Sequence, residues 1–277
     1  MRKTWFPFLL FAMALQAINV FPAPVGYFSF DETEGAIFDS VTGTKINLQG
    51  SVKVIPGGVL GNCLSIARKD DGYVSLGTAY GFTGNFSISL WVKTAPRYAV
   101  TESIILDRHS TDGSWNGYFL FLNTAWGMGS PNKAAFYYTN GVVVSKSDIN
   151  DGNWHQVGVV YHKGAGAELY FDGTLEASGP PPPAPMDIRA NVGFTLGAMI
   201  WDKPHGNFEG DLDELMLFNQ SLNPTDMAAI AANPKYRNKP DAVPSDAPIG
   251  PQLRIQLKNG LIMSIPTSEI LQIDFGN

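Results

Sequence analysis

Residues 154–173 read WHQVGVVYHKGAGAELYFDG. Val157, Val159 and Tyr161 point one way, and Gln156, Gly158 and His162 point the other. After Lys163-Gly164-Ala165-Gly166, Leu169 and Phe171 share a face opposite Glu168, Tyr170 and Asp172. Alternation on both sides of a Gly-rich turn predicts a hairpin with one buried face. Asp172-Gly173 predicts a second tight turn. At 86–92 the same period sends Phe86, Ile88, Leu90 and Val92 inward and Ser87, Ser89 and Trp91 outward. Strands are also predicted over 25–30, 56–65, 73–76, 103–107, 117–122, 134–138, 142–146, 194–200 and 212–218. Five prolines within 179–185 exclude a central strand and predict an extended surface loop. Pro224, Thr225 and Asp226 start a helix that Met227 carries on to residue 232.

The two ends differ from this middle. Residues 1–17 read as a secretory signal: Arg2 and Lys3, an apolar run over 5–14, then Ala14 and Ala17 as cleavage residues, with Ala23 a later option. The run is short for a membrane span, so none is expected after its removal. Residues 233–251, rich in Pro, Asp, Lys and Asn, read as a linker. Residues 253–265 predict a hairpin turning at Lys258-Asn259-Gly260, and 270–275 a third short strand. Three short strands are marginal alone, so this tail is expected to dock on a partner or on the main domain. The plan is a signal at 1–17, a β-domain at 24–232, a linker at 233–251 and a β tail at 252–277.

Composition narrows the class. With 44% hydrophobic residues, 29 Gly and 19 Pro, the chain suits one large, turn-rich β-domain. A net charge of −6 offers no basic footprint for nucleic acid. Cys63 is the single cysteine, which rules out an intrachain disulfide, and its apolar surroundings predict a buried core residue.

Several stretches carry a resemblance. They are GYFSFDETEG and DSVTG near the start, FTGNFSISLWVKT, the Trp154-His155 pair with the later YFDG, and FEGDLDELMLFNQSLNPTDMAAI. Together they resemble the laminin-G-like, concanavalin-A-like lectin/glucanase jelly-roll family over about 25–232. The resemblance implies an all-β fold: an antiparallel two-sheet jelly-roll sandwich with a short C-terminal helix, followed here by the hairpin tail.

The same resemblance frames the chemistry. Glu209, Asp211 and Glu214 fit the Glu-x-Asp-x-x-Glu spacing of jelly-roll glucanases. A retaining mechanism wants its two carboxyls about 5–5.5 Å apart. A one-residue bulge at Asp213 would bring the three onto one face, with Leu212, Leu215 and Leu217 on the other. The run lies on the last strand, however, and also resembles the closing strand of non-catalytic laminin-G-like domains. Binding without catalysis is therefore expected, with a jelly-roll glycoside hydrolase as the alternative. His109, His155, His162 and His205 form no zinc motif. Asp31 and Asp213 resemble family positions near a structural ion, which makes them candidate ligands for Ca²⁺, with Glu32 and Asp211 assisting.

Aromatic residues supply the other signal, because saccharides stack an apolar face on indole rings. Trp91 and Trp154 lie on strands and read as structural. Trp115, Trp126 and Trp201 lie in loops among polar residues. Strand parity puts the loops 123–133 and 201–208 at one end and 108–116 at the other. The candidate ligand platform is thus Trp126, Trp201, Asp202 and His205. The expected partner is a glycan or a cell-surface or matrix protein, met outside the cell, at its surface or in a periplasm. A structural domain that binds protein alone is the remaining reading.

Overall fold

The computed structural model describes residues 21–33, 35–68, 72–96, 103–110, 112–186, 192–200 and 204–234, and the backbone of 252–256 and 262–266. The leader expected at 1–17, most of the linker expected at 233–251, the turn expected at 258–260 and the strand expected at 270–275 lie outside the described residues. Contacts divide the chain into two units, Met1–Tyr236 and Arg237–Asn277.

In chain order the strands are β1 Gly26–Phe28, β2 Ala36–Phe38, β3 Lys45–Asn47, β4 Lys53–Pro56, β5 Asn62–Ile66, β6 Val74–Ser75, β7 Phe86–Lys93, β8 Ser103–His109 and β9 Gly117–Ala125. They continue as β10 Met128–Tyr138, β11 Gly141–Asp148, β12 Trp154–His162, β13 Gly166–Phe171, β14 Thr174–Ser178, β15 Thr195–Leu196, β16 Met199–Ile200, β17 Pro204–His205 and β18 Gly210–Phe218. Helix α1 is Pro224–Ala232, and the second unit holds β19 Gln252–Gln256 and β20 Ile262–Pro266. The larger sheet has eight strands in the order β14-β13-β12-β7-β18-β5-β4, with β1 added along β18. The smaller has six, β11-β10-β9-β8-β15-β6. All ladders in both are antiparallel. The fold is the jelly-roll sandwich.

The period-two pattern builds the core. Phe86, Ile88, Leu90, Val92, Val157, Val159, Tyr161, Leu169 and Phe171 from the larger sheet share one buried cluster with Tyr118, Leu120, Leu122, Phe136 and Tyr138 from the smaller. Asp172 (φ 48°) and Gly173 (φ 76°) make the tight turn into β14. Ser87 and Ser89 face outward as the alternation requires, yet both are fully buried. The outer face beneath them is covered by α1, whose Met227 and Ile230 join Val160, Tyr170, Met216 and Phe218 in a second cluster. The serines are satisfied there: Ser87 Oγ donates to the Gln220 carbonyl and accepts from the Leu222 amide, both at 2.9 Å. Gln156 Nε2 donates to Ser89 Oγ at 2.9 Å. A capping box starts α1, with Asn223 accepting from the Asp226 amide at 3.0 Å and donating its own amide to Asp226 at 3.2 Å.

The strand expected over 56–65 is two strands, β4 and β5, because Gly57 (φ 106°) and Gly61 (φ 74°) break it into a loop. In β18, Asp213 pairs with Trp91 and Met216 with Ser89, so the strand carries the one extra residue that the glucanase-like reading required, and Glu214 sits at φ 50°. Leu212, Leu215 and Leu217 therefore all face the core. In the second unit, β19 and β20 pair antiparallel, Gln252 opposite Pro266 through Gln256 opposite Ile262. No helix among the described residues is long and apolar enough to cross a membrane.

Candidate functional site

The outer face of the six-stranded sheet is aromatic where an antiparallel sheet ordinarily meets water with polar side chains. Phe119, Phe121, Tyr137, Ala135 and Ile104 form a cluster there with Met199, and Trp115 and Met128 pack on it. Trp115 ends the loop before β9, and Trp126 follows β9. Their rings nonetheless meet edge to face at 5.1 Å, and Trp126 also stands 6.0 Å from Phe119. Asn123 (φ 68°) and Gly129 (φ 77°) make this possible by folding the tip of the β9–β10 hairpin back over the sheet. A Cβ on Gly129 would lie 2.3 Å from the Asn123 carbonyl and 2.8 Å from the Phe121 ring, so only glycine allows the approach. Strand parity alone separates Trp115 from Trp126; the fold-back brings them together.

Both tryptophans hold left-handed backbone, Trp115 at φ 54° and Trp126 at φ 48°. That conformation is costly for a bulky side chain and is found where function demands a fixed placement. Tyr137 donates its hydroxyl to the Trp115 carbonyl at 2.9 Å and fixes that loop. Trp126 keeps 40% of its surface exposed.

Beside this cluster, β8 places Asp107 and His109 on the same outer face, two residues apart. His109 Nδ1 lies 2.6 Å from Asp107 Oδ1, and the imidazole stacks on Trp115 at 5.2 Å. Both residues are buried. Burial raises the Asp107 carboxyl above its ordinary value, against the lowering effect of the His109 hydrogen bond and charge. The pair lines a cavity of about 230 Å³ with Tyr73, Ser75, Thr195 and Ile200. That is smaller than the roughly 300–1,000 Å³ of drug-sized sites, and suits one small ring.

Of the expected platform, Trp126 is in this cluster. His205 lies on the β16–β17 hairpin, paired with Met199, whose side chain packs on Ile104 and the aromatic face. Trp201 and Asp202 lie outside the described residues; Ile200, which precedes them, lines the cavity. Trp115, Asp107 and His109 escaped selection as ligand-binding residues. The signal for the last two was present, since Asp-x-His on a strand puts both side chains on one face.

The carboxylates divide into separate environments. Asp31 Oδ1 accepts the Asn62 amide at 3.0 Å, and Asp213 Oδ2 accepts the Leu60 amide at 3.1 Å. Both thus hold the Gly57–Gly61 loop. A Cβ on Gly61 would lie 2.1 Å from Asp31 Oδ1, and one on Gly58 2.6 Å from Asp213 Oδ2. Burial pushes the Asp213 carboxyl up to about 7 against three backbone hydrogen bonds, and the charge of Asp31 adds to the rise. The two carboxylates lie within each other's field and are hard oxygen donors of the kind Ca²⁺ takes, while the Gly61 carbonyl accepts the Gly57 and Gly58 amides and the Gly57 carbonyl accepts Trp154 Nε1. Among the described residues no group of three or more His, Cys, Asp and Glu is arranged to hold a metal, so loop carbonyls would have to complete the ligand shell.

Glu214 is fully buried, and Tyr27 donates its hydroxyl to Glu214 Oε2 at 2.5 Å. Glu209 instead lines a polar void of about 10 Å³, room for one water, with Arg68, Asn123 and Asn150. Neither this void nor the cavities of about 230 and 400 Å³ is lined by both.

Residues 68–228, more than half of the chain, match the model of a laminin-G domain family within the concanavalin A-like lectin/glucanase superfamily. A search of curated proteins gives no match. Among solved structures, domain 4 of AbnA, a GH43 extracellular arabinanase from Geobacillus stearothermophilus in complex with arabinotriose, superimposes with TM-score 0.57. It is 20% identical, over 76% of this chain and 98% of that one. The binding domain of botulinum neurotoxin DC, in complex with rat synaptotagmin II, gives 0.59 at 14% identity, over 78% of this chain and 52% of that one. Botulinum neurotoxin type C, whose uptake into cells depends on interaction with two ganglioside molecules, gives 0.58 at 15%, over 76% and 51%. The chain thus spans about half the length of these neurotoxin chains. At such identities the likeness is one of fold.

Proposed function

The chain belongs to the concanavalin A-like lectin/glucanase superfamily, and on that footing we propose that it is an exported, non-catalytic saccharide-binding protein. The observation that carries this reading is the pair of left-handed tryptophans over the outer face of the six-stranded sheet, beside the Asp107–His109 cavity. On this reading Trp126 supplies the apolar surface on which a sugar ring stacks, and Asp107, Ser75 and Thr195 line the neighbouring cavity with hydrogen-bonding groups. The sandwich is the rigid support, and the loops carry the recognition. The leader at 1–17 would deliver the protein beyond the cytoplasm, to the medium, the cell surface or a periplasm.

Binding is favoured over hydrolysis because Glu214, one carboxylate of the glucanase-like triplet, is engaged by Tyr27 and closed off from solvent. The carboxylates of a glycosidase must flank the scissile bond. The arabinotriose and ganglioside partners of the structural neighbours support a glycan ligand here, and the synaptotagmin complex supports a protein partner as the second reading. Ca²⁺ would be held by Asp31 and Asp213 with carbonyls of the Gly57–Gly61 loop, and its chemistry there is the neutralisation of two nearby carboxylates. The deciding experiment is a broad glycan array probed with the full protein and with Trp126→Ala. The first is expected to bind a set of glycans, and the second to lose those that depend on the six-stranded face. Silence across the array, with capture of a surface protein, would favour the second reading.

A further inference from the structure

The opposite face of the sandwich carries a second groove, independent of the site above. It has a volume of about 400 Å³ and lies between the outer face of the eight-stranded sheet and the last turn of α1. Trp91 and Trp154 form its aromatic side, and Asp172, Thr174 and His155 its polar side. Trp91 pairs with Gln156 and Lys93 with Trp154 across β7 and β12, so the two indoles are diagonal neighbours on one face. Both are half-buried rather than sealed in the core.

The groove is built by the sequence. Helix α1 presents alanines at 228, 231 and 232, too short to fill the space over the indoles. The tight turn abuts the helix, since a Cβ on Gly173 would lie 2.9 Å from both Ala228 Cα and Ala231 Cβ. The walls are fixed. Trp154 Nε1 donates to the Gly57 carbonyl at 3.2 Å. Both His155 nitrogens lie on carboxylates, Asp172 at 2.9 Å and Asp151 at 3.1 Å. The Trp91 Nε1–H is buried and has no acceptor among the described residues.

Charge selects the ligand class. Asp151 and Asp172 are offset by Lys93, which stands 5.9 Å from the Trp154 ring centroid, and by His155 between the two carboxylates. A balanced groove with indole surface, carboxylate acceptors and a threonine hydroxyl matches a neutral molecule with one apolar face and a rim of hydroxyls. We propose that this groove is a second saccharide site, taking one or two neutral sugar units. With a site on each outer face, one chain would bridge two glycan strands, and avidity would follow from their linkage rather than from new contacts.

The test titrates the full protein with arabinotriose, xylotriose, cellotriose and mannotriose, followed by calorimetry and by the indole N–H signals of Trp91 and Trp154. At least one sugar is expected to shift those signals. Ala232→Trp, which fills the groove from an exposed position, should weaken that binding at least tenfold. Trp126→Ala should leave it intact. Should Ala232→Trp fold poorly, Ala228→Trp blocks the same space. The proposal falls if every sugar leaves both indole signals in place, if the blocking variants bind as the parent does, or if Trp126→Ala alone removes all binding. Indole shifts lost in the blocked variants but kept in Trp126→Ala would uphold this site, and a second binding event that Trp126→Ala alone removes would belong to the six-stranded face.

Discussion

Trp115 and Trp126 stand at opposite ends of β9, and their rings are 5.1 Å apart. The hairpin tip returns over the sheet, so residues flanking a nine-residue strand form one surface. Trp126 is the more exposed of the two, and its removal should be read in binding. Trp126→Ala is expected to cost about 1 kcal/mol of stability or less, the worth of an aromatic pair, and to abolish the glycan binding of the six-stranded face. Trp115→Ala, which also strips the packing from His109, should cost more, about 2 kcal/mol. Denaturant titration beside array binding distinguishes them; equal losses of stability would contradict the assignment.

Asp31 and Asp213 hold one loop, and their charges oppose each other. Millimolar Ca²⁺ is expected to raise the melting temperature and EDTA to lower it. Ligand at 100 times its dissociation constant is worth about 2.7 kcal/mol. Asp213→Asn and Asp31→Asn should each erase that response. A melting temperature indifferent to Ca²⁺ in the parent protein would remove the ion from this site.

Gly61 tests the same loop through the backbone. Its φ of 74° and the 2.1 Å approach of a would-be Cβ to Asp31 leave no room for a side chain. Gly61→Ala should destabilise the fold by about 1–3 kcal/mol from strain and shift any Ca²⁺ response with it. Wild-type stability in this variant would show that the loop is held less tightly than its hydrogen bonds indicate.

Tyr27 and Glu214 join β1 to the bulge in β18. Tyr27→Phe and Glu214→Ala are each expected to cost about 1–3 kcal/mol. The double variant should cost less than the sum, because both remove one interaction. Strict additivity in chemical denaturation would mean that the hydrogen bond contributes nothing.

His155 gives the protein a pH dependence. Burial lowers its proton affinity, but the hydrogen bonds and charges of Asp172 and Asp151 outweigh that and raise it above the ordinary histidine value. A raised folded-state value means that the protonated form is favoured on folding. Its contribution is complete below the ordinary histidine pKa and is lost as pH rises through the elevated one. Urea unfolding at pH 6 and pH 8 should therefore show a loss toward pH 8 that His155→Gln diminishes. An unchanged difference between the two pH values in that variant would assign the dependence elsewhere.

The strands and their inward faces at 86–92 and 154–173 were legible in the amino-acid sequence, because period two is a local property of a pleated chain. So was the helix start at Pro224. Burial of Ser87 and Ser89 was not, since the helix that covers them arrives 130 residues later through Leu222 and Gln220. Nor was the break at Gly57–Gly61, where two distant aspartates collect the loop amides. Trp91 and Trp154, structural by strand position, prove to line a groove only because α1 ends in alanines above them. Local alternation fixes which way a side chain points; what it meets there is settled by long-range packing, which no window of the sequence contains.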